Sequence, residues 1–263
     1  MKEQTFKLER VTRKWWFYSI LLVAQLLILP FATRNFDFSK IRDIISTVLS
    51  NSFQAKMHDY YPYFQIIAII VLFLLLLLRN RFAKVFNIYV LFSYTAFAIL
   101  QNIASTDTYG LSIITINVLM FLFVAYTWLK EVLKPENDYS FGNFNWKDVW
   151  MIPLAFIAFW YPLSNGVFDF KLKHFLDSGS SLGFCFMTPV FLTIMTFNIP
   201  EINIVTYRIT ALIGVIIGFY NMLNFQNPEL VNVAILHFPL LFISIYSLIR
   251  SYLIKQPNLQ AKG

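Results

Sequence analysis

A chain of 263 residues that is 58% hydrophobic and 13% charged, with mean hydropathy +0.61, does not read as a water-soluble domain. Such domains carry about 25% charged residues, and a single aqueous core stops growing near ~250–300 residues, so 29 Phe call for a lipid solvent. The net charge of +7 does not indicate nucleic acid, because Lys and Arg cluster at the ends of apolar runs and not on one exposed face. Cys185, the sole cysteine, leaves no intramolecular disulfide and no cysteine-based metal cluster.

The expected fold class is all-α: a polytopic integral membrane helix bundle of about eight transmembrane helices, in one transmembrane domain over 1–263. A span needs about 20 apolar residues. The first candidate, 15–32, follows a basic stretch but is longer than a signal-peptide core and lacks an A-x-A cleavage site, so it reads as a retained helix. In the loop after it, Phe38, Ile41, Ile45, Val48, Leu49 and Phe53 recur at three- and four-residue intervals. That pattern predicts an amphipathic helix near 38–53, capped by Asp37 or Ser39, lying on the outer surface or over the bundle mouth. Spans are expected next at 60–78, which contains Leu74-Leu75-Leu76-Leu77-Leu78, then at 85–104 and 110–129. A cytoplasmic loop, 130–146, carries turn residues and no apolar period. Further spans are expected at 149–163, 180–197, 205–225 and 230–249. Gly214-x-x-x-Gly218 would be a face for close helix contact, Pro189 a kink, and Arg208 a side chain snorkelling to the interface.

Loop charge sets the direction. With the N-terminus inside, the outer side holds only Arg34, Lys40, Arg42, Lys56, Lys171 and Lys173 of the 21 basic residues. Trp15, Trp16, Trp128, Trp146 and Trp150 fall at cytoplasmic ends, and Tyr60, Tyr61, Tyr63 and Tyr161 at outer ends, as interfacial rings do. Both termini are therefore expected in the cytoplasm, with the plasma membrane as the location. Pro30 precedes Phe36-Asp37-Phe38 as Pro162 precedes Phe168-Asp169-Phe170. This suggests halves 1–129 and 147–255 related by a parallel 4+4 repeat, an arrangement that places substrate sites at the repeat interface. Chance matches in Phe-rich membrane sequence are the competing explanation.

Polar residues in the apolar runs concentrate in the outer half: Gln65, Gln101, Asn102, Asn117, Asn221, Asn224, Asn232 and His237. Intramembrane polar groups usually face the bundle interior. The expected site is an outward-facing cavity lined by Gln65, Asn117, Asn221 and His237, holding a small neutral molecule; His237 stands near Pro239, whose ring frees a backbone carbonyl. The plainer alternative is that each amide only bonds between helices, at about 0.6 kcal/mol apiece.

No intramembrane Asp, Glu or Lys is evident for ion coupling, which favours a passive carrier or binder over a pump. An alternative is a membrane-embedded enzyme acting on a lipid or lipid-linked substrate at the outer leaflet, with acid–base or metal chemistry from His174, His237, Asp169 and Asp177. A third is an accessory subunit of a membrane complex. No catalytic residue, metal site or cofactor is assigned, since phosphate-loop, dinucleotide, zinc and nucleophile-elbow motifs are all missing from the sequence. The expected partners are membrane lipid and a small-molecule ligand, with a second copy or a partner subunit, and no nucleic acid.

Overall fold

The computed structural model describes residues 8–142, 144–164 and 166–254. Its main helices are α1 (Trp15–Leu27), α2 (Ile41–Ser50), α3 (Tyr61–Leu78), α4 (Ala83–Leu100), α5 (Thr115–Leu133), α6 (Met151–Trp160), α7 (Phe184–Phe197), α8 (Ile204–Met222), α9 (Val231–Leu236) and α10 (Phe238–Leu253). Each apolar stretch named above overlaps at least one of them. Their ends follow local chemistry. Pro62 and Pro239 occupy the first turns of α3 and α10, where a missing N–H costs nothing. Asn203 caps α8, its Oδ1 accepting from Val205 N and Thr206 N, both at 3.1 Å. At the end of α3, Arg79 takes φ +51° and ψ −129°, a conformation suited to glycine that costs a larger residue about 1–3 kcal/mol. The chain turns there into α4.

By length and apolarity, His58–Leu100, Thr115–Leu133 and Ile204–Gln226 suffice to cross a membrane. Two bent pairs, His174–Leu182 with Phe184–Phe197 at 84° and Pro228–Leu236 with Phe238–Leu253 at 42°, raise the number to five when each pair counts as one span. Helices α1 and α6, with 13 and 10 residues, are shorter than a bilayer requires. The count that helix length supports is thus three to five, below the expected eight.

The chain nevertheless runs back and forth between two recognisable ends. At the linker end, the 134–142 segment meets the start of α8 through Asp138 N to Glu201 O, 2.8 Å, and the end of α10 meets the start of α6 through Arg250 and Asp148. At the sheet end, Phe184 N donates to Gln101 Oε1, 3.2 Å, joining the start of α7 to the end of α4. Helix α8 is the axis of the bundle, 78% of its span window being buried, whereas α3 is peripheral at 17%. The glycine pair does what its spacing suggests. Gly214 faces Ser244 and Leu240, and at Gly218 an added Cβ would lie 3.1 Å from Leu241 Cα, so α8 and α10 approach backbone to backbone.

The sheet end contains strands that hydropathy conceals. β1 (Phe31–Ala32), β2 (Ile103–Thr106) and β3 (Gly110–Ile113) form an antiparallel sheet in the order β1-β3-β2, with Phe31 opposite Ile113 and Thr106 opposite Gly110. The expected spans 85–104 and 110–129 therefore lose their adjoining ends to a hairpin. Gly110, at φ +64°, makes its turn, and β-branched Ile103, Thr106 and Ile113 suit the pleat. A second hairpin pairs β4 (Leu163–Ser164) with β5 (Val167–Phe168) inside one loop, so the two halves build their corresponding loops differently. The amphipathic segment is helical as its pattern predicts. Asp37 Oδ1 accepts from Ser39 N at 2.8 Å, and α2 buries Ile44 and Val48 against the sheet.

Candidate functional site

The densest buried polar layer lies at the linker end, opposite the end where a cavity is expected. The last turn of α5 carries Glu131, fully buried. Its Oε1 accepts from Glu136 N and Asn137 N, both at 2.7 Å, and its Oε2 accepts from Asn203 Nδ2 at 3.1 Å. Asn137 Oδ1 in turn accepts from Asn203 N at 2.7 Å, and its Nδ2 donates to the Tyr139 hydroxyl at 3.0 Å. That hydroxyl donates to Asn87 Oδ1 at 2.7 Å, while Tyr139 N donates to Asn80 Oδ1 at 2.8 Å. One layer thereby joins the α3–α4 turn, α4, α5, the linker and the cap of α8. Burial pushes the Tyr139 phenol well above its ordinary pKa, the Glu131 charge adding to the effect, so it stays a donor at any physiological pH. The Asn87 Nδ2 is buried without a partner.

Beside this layer opens a cleft of about 380 Å³ lined by Leu77, Leu78, Arg79, Asn80, Arg81 and Ser140. It joins an apolar wall to two guanidinium groups and an amide. Among the described residues neither Arg79 nor Arg81 makes an ion pair. Asn80 Oδ1 is held by the linker backbone, which fixes the turn, and among the described residues no hydrogen bond engages its amide nitrogen.

Two more charged groups are buried nearby. Asp148 is inaccessible, accepting from the Tyr246 hydroxyl and lying 3.5 Å from Arg250 Nη2. Arg208, expected to snorkel, is wholly buried instead. Its Nε and Nη2 donate to Ser251 Oγ and O at 3.2 and 2.9 Å, its Nη1 to Thr12 Oγ1 at 3.1 Å, and it lies over the Tyr252 ring at 4.9 Å. The α8 position turns the side chain toward Ser251 and Thr12 and away from the outside of the bundle. Glu131 and Asp148 lie just outside the expected spans 110–129 and 149–163, so protein packing buries them at the linker end.

The four residues expected to line an outer cavity bond to four separate places. Gln65 is fully buried, donating to Phe159 O at 3.2 Å and accepting from Ser180 Oγ and Ser181 N at 3.1 and 3.2 Å. Asn117 donates to Asn102 Oδ1 at 3.0 Å. Asn221 donates to Ile217 O at 2.9 Å and approaches Cys185 Sγ at 3.7 Å. His237 bonds through Nδ1 to Val233 O at 2.7 Å and packs on the Phe186 ring at 5.5 Å. Among the described residues no two of the four share a hydrogen-bond partner.

The histidines are likewise dispersed. His58 pairs with Asp59 at 2.8 Å, and His174 Nε2 with Asp169 Oδ2 at 3.0 Å, not with Asp177. Among the described residues no group of three His, Cys, Asp or Glu side chains could hold a metal ion. The His174 ring and the Lys171 ammonium hold the Asp169 carboxyl down to about 2.

Sequence reasoning missed Glu131, Asn137, Tyr139, Asn80, Asn87 and Asn203 as one constellation. The available signal was Asn203 just before an apolar run, the mark of an N-cap, together with Glu131 directly after the end of the fourth apolar run. No family model, curated protein or solved structure matches this chain.

Proposed function

We propose that this chain is a multi-pass plasma-membrane protein, passing the bilayer eight times with both termini cytoplasmic, that binds a small ligand at its linker end. The alternating course of the helices and the basic residues of the linker end support that topology. Lys2, Lys7, Lys255 and Lys262, which belong to the same charge argument, lie outside the described residues. The pairing of α4 with α5 and of α8 with α10 favours a 4+4 organisation with halves 1–129 and 147–255, although their loops differ. The observation that carries the binding reading is the cleft at Leu77–Arg81 and Ser140, where among the described residues neither guanidinium group makes an ion pair, while Gln65, Asn117 and Asn221 are already bonded to protein.

A second reading keeps the outward-facing cavity for a small neutral molecule. It rests on His237: donating from Nδ1 to Val233 O fixes the tautomer that leaves Nε2 as an acceptor beside Phe186.

Thermal unfolding of the detergent-purified chain against a set of small molecules separates the two. On the linker-end reading, a stabilising compound loses its effect in Ser140→Trp and Asn80→Ala and keeps it in His237→Ala. The reverse pattern would transfer the site to the sheet end.

A further inference from the structure

We propose that the linker-end cleft seats the phosphate of an anionic phospholipid of the cytoplasmic leaflet, with the acyl chains lying along the bare face of α3. The inference rests on the linker-end reading above and names the ligand class. Charge points to it first. Arg79 and Arg81 line the cleft, Lys84 follows one turn on, all three are exposed, and no carboxylate belongs to the lining. The carboxylate nearest in sequence, Asp138, has its Oδ1 engaged by Ser140 N at 2.8 Å.

Donor chemistry points the same way. The guanidinium groups offer paired N–H donors suited to phosphate oxygens, and the Asn80 amide and Ser140 hydroxyl add neutral donors. The site is pre-organised, because the Asn80 bond to Tyr139 N ties its floor to the buried Glu131 layer. A second observation is the Arg79 backbone. The turn at its φ of +51° places Arg79 and Arg81 directly after the apolar end of α3.

The apolar half of the ligand has an obvious place. Leu77 is 63% exposed, and above it Leu76 and Phe73 are exposed to a similar degree, on the least buried of the long helices. A free phosphate would leave the Leu77–Leu78 wall unused. A lipid uses both. Basic pockets at the cytoplasmic ends of membrane helices are the general setting for such headgroups.

The test is lipid binding to the full chain in mild detergent, followed by native mass spectrometry with phosphatidylglycerol, with phosphatidylethanolamine of the same acyl chains, and with inorganic phosphate as competitor. Phosphatidylglycerol should bind more tightly than phosphatidylethanolamine and weaken as salt rises. The Arg79→Ala/Arg81→Ala variant should lose about thirtyfold in affinity, as expected for two surface cations, while Arg34→Ala/Lys40→Ala at the other end should lose none. Should the double variant fail to fold, Arg81→Gln with Ser140→Ala makes the same comparison. Equal binding of the two lipids, or an unchanged Arg variant, overturns the proposal. Displacement of phosphatidylglycerol by millimolar phosphate with no lipid preference assigns the cleft to the free ion and overturns it too. If only the lipid result fails, and small-molecule stabilisation still depends on Ser140, the lipid assignment falls and the linker-end site stands.

Discussion

Exchanging the acidic and amide groups at positions 131 and 203 tests whether the linker layer is a tightly constrained unit. In Glu131→Gln, the side-chain oxygen can still accept from Glu136 N and Asn137 N, but the new NH2 group then faces Asn203 Nδ2, two donors about 3 Å apart. Asn203 cannot turn its amide to relieve this without uncapping Val205 N and Thr206 N. A buried unmet donor costs about 1–3 kcal/mol, and the weakening of two charge-assisted bonds adds to it. Asn203→Asp alone keeps the cap but sets a carboxylate against Glu131, with a penalty of the same order. In the double variant the amide at 131 donates to the free carboxylate oxygen at 203, the cap survives, and one negative charge remains. The double variant should therefore be more stable than the sum of the single effects by about 2–3 kcal/mol, measured by unfolding in mild detergent with rising dodecyl sulfate. Additivity within about 0.5 kcal/mol would refute the argument, since it would mean that the two side chains do not read each other's donors.

Gly218→Val should cost about 1–3 kcal/mol, and more than Gly218→Ala, because the nearest obstacle is the Leu241 backbone, which has no rotamer to give; equal melting temperatures for both variants and wild type would remove the close α8–α10 contact. The Asp169 carboxyl, depressed to about 2, contributes stability to its loop above the ordinary carboxylate range and loses it as pH falls through about 2. Pepsin should therefore cleave within 167–173 slowly near pH 4 and progressively faster as pH falls toward about 2, whereas Asp169→Asn should be cleaved quickly throughout; matching profiles would discount the His174 and Lys171 contacts.

How far the fold could be read in advance depended on the range of the interactions concerned. Helix positions, the amphipathic α2 and the α8 glycine face are local in sequence, and each is present in the structure. The hairpin at Ile103–Ile113 was concealed because apolar strand residues and apolar span residues have the same hydropathy over four positions. The buried layer was concealed for a different reason. Asn80, Asn87, Glu131, Asn137, Tyr139 and Asn203 are distant in the chain, and a polar linker resembles solvent-exposed sequence until its partners are known. Arg208 went astray because snorkelling depends on which way a helix face turns, and depth alone does not give that.

Helix α1 buries none of its own residues, and what fastens it comes from far downstream. Phe17 leans on Phe123, Tyr18 meets Tyr252, and β1 pairs with Ser112 and Ile113. During synthesis these partners emerge long after α1 has left the ribosome. Its contacts therefore form in two stages, with β3 and Phe123 once α5 has been made and with Tyr252 only when the last helix follows.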